Sequence, residues 1–351
     1  GFLGIELHTR RRNRMNGHVE SVADGRLSVA VDQTVGNCPQ YIQGRETEWA
    51  REAGDNTPRD TTALDRLDAH ALAMVRAADT LFVATRAPAD GERPGSADVS
   101  HRGGRSGFVR VEDERTLLIP DFTGNFLFMT LGNLQLDPRA GVIFIDFNTG
   151  DLLTLTGRTE VVWDGPELQA FEGAERAWRF HIEAGWRLSD ALPLRWRFRD
   201  WSPHSLITGS WNEAARRLEV QRLAQTWRPY RVARVVDESS VIRSFHLEPA
   251  DGFAQPAFEA GQYLPIRLHL GSDAAPLQRT YTLSSAPGEV GLRISVKREG
   301  AASTFLHEHV KVGDTIEALA PRGHFTIDAT LRRSAVLIGA GVGITPMVSF
   351  A

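Results

Sequence analysis

The stretch Arg279-Thr-Tyr-Thr-Leu-Ser-Ser285 decides how the rest of the chain is interpreted. Its pattern predicts a β-strand that presents Arg279, Tyr281 and Thr282 to one face. A guanidinium group binds phosphate, an aromatic ring stacks on a planar heterocycle, and a hydroxyl group hydrogen-bonds a ring nitrogen. The stretch therefore predicts a site for a ligand with both a phosphate and a flat ring. The simpler alternative is an arginine on an edge strand.

A second motif, Gly300-Ala-Ala-Ser303, follows this strand along the chain, and Thr304 comes directly after it. The motif predicts a turn that opens a helix at Ser303. The free backbone N–H groups and the dipole at such a helix start suit a second phosphate. The alternative is a capped surface helix that binds no ligand.

A third stretch, Ala335-Val-Leu-Ile-Gly-Ala-Gly-Val-Gly-Ile-Thr-Pro346, predicts a buried strand that runs into a Gly-rich turn and a helix start. A βα unit cannot bury its faces alone, and the sequence stops at Ala351. It also begins at Gly1 rather than at Met, within an apolar run. We therefore expect a fragment of a longer polypeptide, truncated at both ends.

The order and spacing of these motifs, with Pro321-Arg-Gly-His-Phe325 before the third, resemble the ferredoxin–NADP reductase superfamily over residues 228–351. The resemblance implies an FAD-binding β-barrel followed by the first strand of an α/β domain for NAD(P)H. It implies that Arg279 binds a flavin phosphate, Tyr281 packs on the isoalloxazine and Thr282 hydrogen-bonds near flavin N5. The other implied contacts are Gly300, Ser303 and Thr304 for the pyrophosphate, and Gly339, Gly341, Gly343 and Thr345 for the nicotinamide nucleotide.

The same resemblance implies the chemistry, in which NAD(P)H gives a hydride to flavin N5 and electrons then pass singly to an acceptor. We expect the acceptor to be a partner protein or a fused 2Fe-2S domain. A plant-type 2Fe-2S domain needs four spaced cysteines, and the sequence contains only Cys38. That domain would therefore belong to a missing C-terminal part. No residue is assigned a catalytic acid–base role, and no metal ligands are predicted.

Residues 1–22 align without a gap with residues 141–162, with six identities that include Gly17 and Gly157. Both segments have the pattern strand, turn, strand. We therefore predict that residues 1–50 are the last part of one split barrel and that residues 60–227 form a second copy. The predicted domains that follow are the FAD-binding barrel, residues 228–333, and the start of the NAD(P)-binding domain, residues 334–351. Within the second copy we predict helical periodicity over 62–75, a Gly-rich hairpin over 100–111 and a short helix over 124–136.

The second copy resembles the pyridoxamine 5′-phosphate oxidase-like split barrels through Gly107-Phe-Val-Arg-Val111, Thr116-Leu-Leu-Ile-Pro-Asp121 and Asp137-Pro-Arg-Ala-Gly141. Barrels of this family dimerise and hold FMN at the interface, so the resemblance implies an FMN site and either a homodimer or, from the tandem copies, an internal pseudo-dimer. The candidate FMN contacts are Arg102, Arg105, Asn125 and Thr130. Three functions stay open here: a scaffold that docks the reductase or an acceptor, an FMN-dependent oxidase or flavin reductase, and a haem or tetrapyrrole module served by the reductase.

The composition excludes several other classes of protein. Hydrophobic residues make up 42% and charged residues 24% of the 351 residues, as in globular rather than disordered chains. The net charge is -4 and acidic residues are interspersed among the 40 Lys and Arg, which argues against a nucleic-acid partner. No apolar run approaches the roughly 20 residues of a membrane span, and a single cysteine suits a reducing compartment. We expect a cytoplasmic protein that is mainly β with α+β elements.

Overall fold

The computed structural model describes the whole chain except residues 56, 90, 92–94, 125–127, 272–274, 328–333 and 335. The chain divides into two compact units, Gly1–Leu218 and Glu219–Ala351. Both units are mainly β, as the sequence predicts. Among the described residues, no helix is both long and apolar enough to cross a membrane.

The first unit alternates a few short helices with many strands, and its last helix continues past Leu218. Its elements are β1 (Phe2–Glu6), β2 (Arg11–Ala23), β3 (Arg26–Asn37), β4 (Gly44–Trp49), β5 (Thr61–Leu64), α1 (Ala69–Ala77), β6 (Thr80–Ala87), β7 (Ser96–Gly103), β8 (Arg110–Asp113), β9 (Thr116–Phe122), α2 (Met129–Leu136), β10 (Arg139–Ile145), β11 (Leu152–Val162), α3 (Pro166–Ala170), β12 (Ala174–Leu188), β13 (Leu194–Asp200), α4 (Pro203–Leu206) and α5 (Trp211–Gln225).

These strands form three sheets. The largest has the order β7-β6-β10-β11-β12-β9-β8, and β5 also pairs with β12. Strands β1 to β3 form a second sheet, and β4 pairs with β13 in a two-stranded ribbon. Large apolar side chains, including Trp178, Phe108 and Phe144, are almost fully buried in one core cluster. Removing this apolar surface from water is the main favourable contribution to the folding of the unit.

The predicted internal repeat is visible in the pairing of the strands. In the hairpin β1–β2, Phe2 lies opposite Met15. In the hairpin β10–β11, Val142 lies opposite Leu155, and both residues are 140 positions beyond their counterparts. The two hairpins therefore pair in the same register, as the alignment of residues 1–22 with residues 141–162 predicts.

A β-bulge also recurs at equivalent positions of the repeat. The pairing of β2 with β3 shifts just before Gly17, and the pairing of β11 with β12 shifts just before Gly157. A Cβ atom on Gly17 would lie 2.1 Å from the carbonyl oxygen of Ala30, and one on Gly157 would lie 2.0 Å from that of His181. No side chain fits at such a distance from backbone. The shared glycine is therefore explained by the close approach of two strands at the bulge.

One predicted element of this unit is correct only in its second half, and one is wrong. Residues 61–64 form β5, and the helix begins only at Ala69, because the side chain of Asp68 accepts a hydrogen bond from the N–H group of Ala71 and caps it. The segment 100–111 does not form a hairpin, since β7 and β8 lie at opposite ends of the strand order. For the third prediction, the described part of 124–136 contains α2, and residues 125–127 lie outside the described residues.

The described part of the second unit contains six strands, one full helix and a short terminal helix. Its elements are β14 (Arg228–Asp237), β15 (Ile242–Pro249), β16 (Tyr263–Leu268), β17 (Leu277–Thr282), β18 (Leu292–Lys297), α6 (Ala301–His309), β19 (Thr315–Ala318) and α7 (Ile344–Phe350).

The six strands lie in the order β17-β16-β19-β14-β15-β18. The two outer strands are joined by a bridge between Leu283 and Ile294 and by a hydrogen bond from the N–H of Ser284 to the carbonyl of Arg293, 2.8 Å. The sheet therefore closes into a barrel, as the sequence predicts. Fully buried side chains such as Tyr230 fill its interior.

The predicted strand at the start of the third stretch is absent from residues 336–340. Val336 is 86% exposed and Ile338 is 84% exposed. A strand needs a neighbour that pairs with its N–H and C=O groups, and no described strand pairs with this segment. The turn and the helix that follow agree with the prediction, as a 3₁₀ turn over Gly341–Gly343 and then α7.

Candidate functional site

One cavity of the second unit brings together residues from all three predicted motifs. It has a volume of about 340 Å³. Its walls come from β17, from the end of β18 with the start of α6, and from the turn before α7. The lining residues are Arg279, Thr280, Tyr281, Thr282, Ser295, Lys297, Glu299, Gly300, Ala301, Ala302, Ser303, Val342 and Thr345.

Arg279 and Tyr281 supply a cation and an aromatic ring to the wall formed by β17. Arg279 is exposed, and its guanidinium donates to the carbonyl of Gln278 at 2.7 Å. Tyr281 is half-buried, and burial raises the pKa of its hydroxyl above the usual value. The ring is therefore neutral at physiological pH, and its face can stack on a planar heterocycle.

The strand does not present all three predicted side chains to one face. Alternate residues of a strand point to opposite sides, so Arg279 and Tyr281 share a face and Thr282 belongs to the other. Thr282 is the last residue of β17, where it lies opposite Tyr263. Both Thr280 and Thr282 nevertheless line the cavity. The cavity thus borders β17 along four consecutive residues.

Helix α6 begins at the second wall, where Ser303 shapes the turn. The buried Ser303 Oγ accepts hydrogen bonds from the N–H groups of Glu299, 3.0 Å, and Gly300, 2.9 Å, and donates to the carbonyl of Gly300 at 2.9 Å. These bonds use the full capacity of a hydroxyl group. The first N–H groups of a helix have no acceptor within it, so those of Ala301 and Ala302 remain for a ligand.

The lining differs from the sequence prediction at several positions. Thr304 is not among the lining residues, and its N–H group donates to the carbonyl of Gly300 at 2.9 Å. Ser295, Lys297 and Glu299 were not predicted and do line the cavity. Lys297 Nζ lies 3.1 Å from Glu299 Oε1. Lysine occurs only twice among the 40 basic residues, and that rarity was a usable signal for Lys297.

The third wall is the Gly-rich turn before α7. Gly341 has a φ of 56°, in the left-handed region that favours glycine. A Cβ atom on Gly339 would lie 2.9 Å from the carbonyl oxygen of Gly343. Thr345 Oγ1 donates to the carbonyl of Val342 at 2.8 Å, and both residues line the cavity. Of the four predicted nicotinamide contacts, Thr345 lines the cavity, and Gly339 and Gly341 set the path of the turn.

Helix α7 is attached to the barrel beside this cavity. The buried Ser349 Oγ donates to the carbonyl of Ser285 at 2.7 Å. The rings of Phe325 and Phe350 lie edge to face, with centroids 5.8 Å apart. Ser285 ends the first motif, so these contacts connect the first and third motifs.

The chemistry of this lining fits a phosphorylated cofactor with a flat ring. Arg279, Lys297 and the start of α6 offer groups that bind phosphate. Tyr281 offers a ring face. The volume lies within the range of about 300–1,000 Å³ that is usual for small-molecule sites. Among the described residues, no group of three or more His, Cys, Asp or Glu side chains is arranged to hold a metal ion.

Of the four candidate FMN contacts of the first unit, Arg105 and Thr130 have polar partners within the protein. Arg105 forms an ion pair with Glu213, 2.6 Å. The buried Thr130 donates from Oγ1 to Ser100 Oγ at 3.0 Å. Asn125 lies outside the described residues. The ion pair and the hydrogen bond therefore engage the polar groups of Arg105 and Thr130 within the protein.

The fourth candidate, Arg102, lines a smaller cavity of about 80 Å³ with Arg12 and His101. Arg102 pairs with Asp121 at 3.0 Å. Burial, and then the charges of Arg102 and Arg14, lower the pKa of Arg12 to about 10. Burial also lowers the pKa of His101 well below its usual value, and its Nε2 has no partner among the described residues. The described lining contains no carboxylate, so an anion is the ligand that suits this cavity.

Comparison with known proteins identifies the barrel. Residues 229–327 match the family model described as oxidoreductase FAD-binding domain. A flavohemoprotein of Bacillus subtilis (strain 168) is 43% identical over 123 residues, which are 35% of this chain and 31% of that protein. A flavohemoprotein of Chromobacterium violaceum (strain ATCC 12472) is 48% identical over 129 residues, 34% of this chain and 32% of that protein. The chain thus spans about a third of the length of these relatives.

A solved structure with a similar segment is the flavohem-like FAD/NAD-binding domain of nitric oxide dioxygenase from Vibrio cholerae O1 biovar El Tor. It is 40% identical and covers 35% of this chain and 54% of that chain, with a TM-score of 0.34.

Residues 229–327 of the second unit therefore match the oxidoreductase FAD-binding domain family, and this part of the sequence is similar to about a third of the flavohemoproteins. The prediction of an FAD-binding oxidoreductase domain is confirmed for residues 229–327. The resemblance of the first unit to split barrels stays a prediction.

Proposed function

We propose that this protein is an NAD(P)H-dependent flavoprotein oxidoreductase that passes electrons from a nicotinamide nucleotide through FAD to a one-electron carrier. The observation that carries the proposal is the cavity at which β17, α6 and the turn before α7 meet. Two of these three walls belong to residues 229–327, which match the FAD-binding family. Bound FAD supplies the chemistry that accepts a hydride and releases electrons one at a time.

Different residues of the cavity bind different parts of FAD. Arg279 holds a phosphate, and the ring of Tyr281 packs on the flat ring system. Thr282 supplies a hydroxyl group near the flavin ring. The N–H groups at the start of α6 hold the pyrophosphate, and Ser303 fixes the turn that presents them. In this proposal Ser303 positions the binding groups through the backbone.

The nicotinamide nucleotide enters on the side of the Gly-rich turn. Gly339, Gly341 and Gly343 let backbone approach this ligand closely, since they carry no side chain. Thr345 faces the same cavity as Tyr281. This arrangement supports a hydride donor that reaches the flavin ring from the α7 side.

We propose that the electron carrier is a 2Fe-2S domain or a haem domain, either fused or separate. The curated relatives are named flavohemoproteins, a name that joins a flavin with haem. The 2Fe-2S alternative rests on the resemblance of the sequence to fused reductases.

The test of the FAD site is to replace Arg279 by Ala and to titrate the flavin-free protein with FAD, following flavin fluorescence. We expect FAD to bind about tenfold to a hundredfold more weakly, since a charge-assisted hydrogen bond contributes roughly 1.5–3 kcal/mol. The matched control is Arg231→Ala in the same unit, where the exposed arginine pairs with Glu248 at 2.7 Å and does not line the cavity. Equal affinities of the two variants would refute the assigned site.

A second function is proposed for the first unit, namely that it holds FMN through the phosphate. The supporting observation is the carboxylate-free cavity at Arg12, His101 and Arg102, which leaves a positive charge and an unpartnered imidazole nitrogen. Flavin released by heat and separated by chromatography tests this proposal. One FAD and one FMN per chain would support it, and reconstitution that yields FAD alone would count against it.

We also propose the domain order that the sequence predicts: a split-barrel remnant over 1–50, a second split barrel over 60–227, the FAD barrel over 228–333 and the start of a nucleotide-binding domain over 334–351. The equal registers of β1–β2 and β10–β11 support the tandem copies. A homodimer through the split barrels belongs to the same proposal, and light scattering of the purified protein tests it.

A further inference from the structure

The first unit contains a second cavity, which no part of the proposed electron transfer uses. It has a volume of about 310 Å³ and lies between the β4–β13 ribbon, the end of α1 and the turn after β10. Four aromatic side chains contribute to its walls: Phe147, Trp196, Phe198 and Trp201. Trp196 and Phe198 are two residues apart on β13, so they face the same side of the ribbon.

The rings are arranged as walls and do not fill the space themselves. Phe147 and Trp196 lie edge to face, with centroids 5.4 Å apart. Phe198 and Trp201 lie 4.9 Å apart, tilted by 59°. Phe198 is 44% exposed. An aromatic ring that remains this exposed beside a cavity favours a flat ring as the ligand.

Arg45 adds a hydrogen-bond donor to this cavity. It is only 5% exposed, and its guanidinium carbon lies 3.9 Å from the centre of the Phe147 ring. One nitrogen, Nη2, donates to Asp79 at 2.6 Å, whereas Nη1 has no hydrogen-bond partner among the described residues. A buried donor without an acceptor is costly, and native structures seldom keep one. An oxygen atom of a ligand in the cavity would satisfy it.

The charges of the lining select among ligands that carry such an oxygen. The lining holds one guanidinium, Arg45, and two carboxylates, Asp79 and Asp146. Asp146 is held in the turn after β10, where its Oδ1 accepts from the N–H of Asn148 at 2.8 Å. A ligand carboxylate would add a third negative charge to a partly buried site. A neutral carbonyl group can accept the hydrogen bond from Arg45 without adding a charge. A neighbouring N–H group of the ligand can donate to Asp79 or Asp146.

We propose that this cavity binds a neutral planar heterocycle that carries neighbouring carbonyl and N–H groups. The ring lies against the aromatic side chains, and its carbonyl accepts from Arg45 Nη1. This site is separate from the proposed FAD site, because all of its residues belong to the first unit. It gives the first unit a ligand of its own.

The experiment is a calorimetric titration of the full chain with quinazoline-2,4-dione as the probe. Two compounds of similar size serve as comparators: 1-naphthoate, which has an oxygen acceptor and a negative charge, and indole, which has no acceptor oxygen. We expect the dione to bind at least tenfold more tightly than either comparator. No binding of the dione up to its solubility limit, or naphthoate binding as tightly, would overturn the proposal.

Variants of the wall locate the binding. Trp201→Ala removes one aromatic wall, and we expect it to weaken dione binding about tenfold. Trp163→Ala is the matched control, because Trp163 is 58% exposed and does not line the cavity. Arg45→Lys keeps the positive charge beside Asp79 but loses the planar guanidinium with its several N–H donors. We expect this variant to weaken dione binding about tenfold as well. If Arg45→Lys does not fold, the comparison of Trp201→Ala with Trp163→Ala tests the site by itself. Equal affinities of these two variants for the dione would refute the site.

Discussion

Removal of one hydroxyl group, in Ser303→Ala, separates two interpretations of the turn that opens α6. In the first, Ser303 positions the turn, since its Oγ accepts from the N–H groups of Glu299 and Gly300 and donates to the carbonyl of Gly300. In the second, the hydroxyl group binds the FAD pyrophosphate directly. Only the first predicts a loss of stability when no cofactor is bound.

The size of that loss follows from the bonds that Ser303 makes. The Ala variant leaves two N–H groups without their acceptor at a helix start, and such caps contribute about 0.5–2 kcal/mol. Because Ser303 is only 7% exposed, we expect the loss of stability to lie in the upper part of this range, at about 1–2 kcal/mol. For a unit of this size that corresponds to a fall of roughly 3–10 °C in the melting temperature.

The assay has two parts on the same preparations. Calorimetry of the flavin-free protein gives the melting temperature of the second unit, and fluorescence titration gives the affinity for FAD. Ser303→Ala should lower both, with FAD binding weakened about tenfold because the helix N–H groups are no longer held in place. Arg279→Ala should weaken FAD and leave the flavin-free melting temperature unchanged, since that exposed side chain pairs with no described carboxylate.

One result would refute the positioning role. If Ser303→Ala melts at the wild-type temperature without flavin and still loses most of its affinity for FAD, the hydroxyl group contacts the cofactor directly. The conservative variant Ser303→Thr retains an oxygen acceptor and should recover part of the stability.

Three further predictions follow from single contacts. Gly157→Ala should destabilise the first unit by about 1–3 kcal/mol, because the new Cβ would lie 2.0 Å from a backbone oxygen. Gly132→Ala in α2 should instead stabilise the unit by about 0.5–1 kcal/mol, since no atom lies within 4 Å of the new Cβ. Chemical denaturation measures the free energy of unfolding of both variants. Asp251→Asn should cost about 2 kcal/mol, since the ion pair with the buried Arg228, 2.7 Å, lowers the pKa of Asp251 to about 2. That contribution is present above pH 4 and lost as the pH falls towards 2, so unfolding curves of variant and wild type should converge at low pH. Tyr281→Ala should weaken FAD binding about tenfold and alter the absorption spectrum of the bound flavin. Tyr281→Phe should retain the wild-type affinity and spectrum.

Elements that depend on local residues could be predicted from the sequence. The second motif does open a helix, although α6 begins at Ala301, two residues before the predicted Ser303, and the turn before α7 lies where the third motif placed it. The repeat was also predictable, because an alignment of strand, turn and strand preserves the register of a hairpin. These features need only neighbours along the chain, and the residues at the turns carry that information.

Elements that depend on distant pairing could not be predicted in this way. The glycines at 103–107 indicated a hairpin, but β7 pairs with β6 and β8 with β9. Lys297 and Ser295 reached the cavity because β18 forms one side of the barrel closure. The start of α1 was set by Asp68 and not by the apolar periodicity that begins several residues earlier.

The arginines show most clearly why a motif alone does not define a site. In a chain with 40 basic residues, Arg102, Arg105 and Arg279 each follow a pattern that suits a phosphate. Asp121 pairs with Arg102, so the phosphate that we propose for the first unit depends on Arg12 in the same cavity. Glu213, more than a hundred residues away in sequence, pairs with Arg105. A carboxylate that already satisfies a guanidinium competes with any phosphate for its N–H groups. Arg279 differs because it has no described carboxylate partner and lies beside a cavity that also contains helix N–H groups. Both properties depend on the fold, so they could not be predicted from the spacing of residues in the sequence.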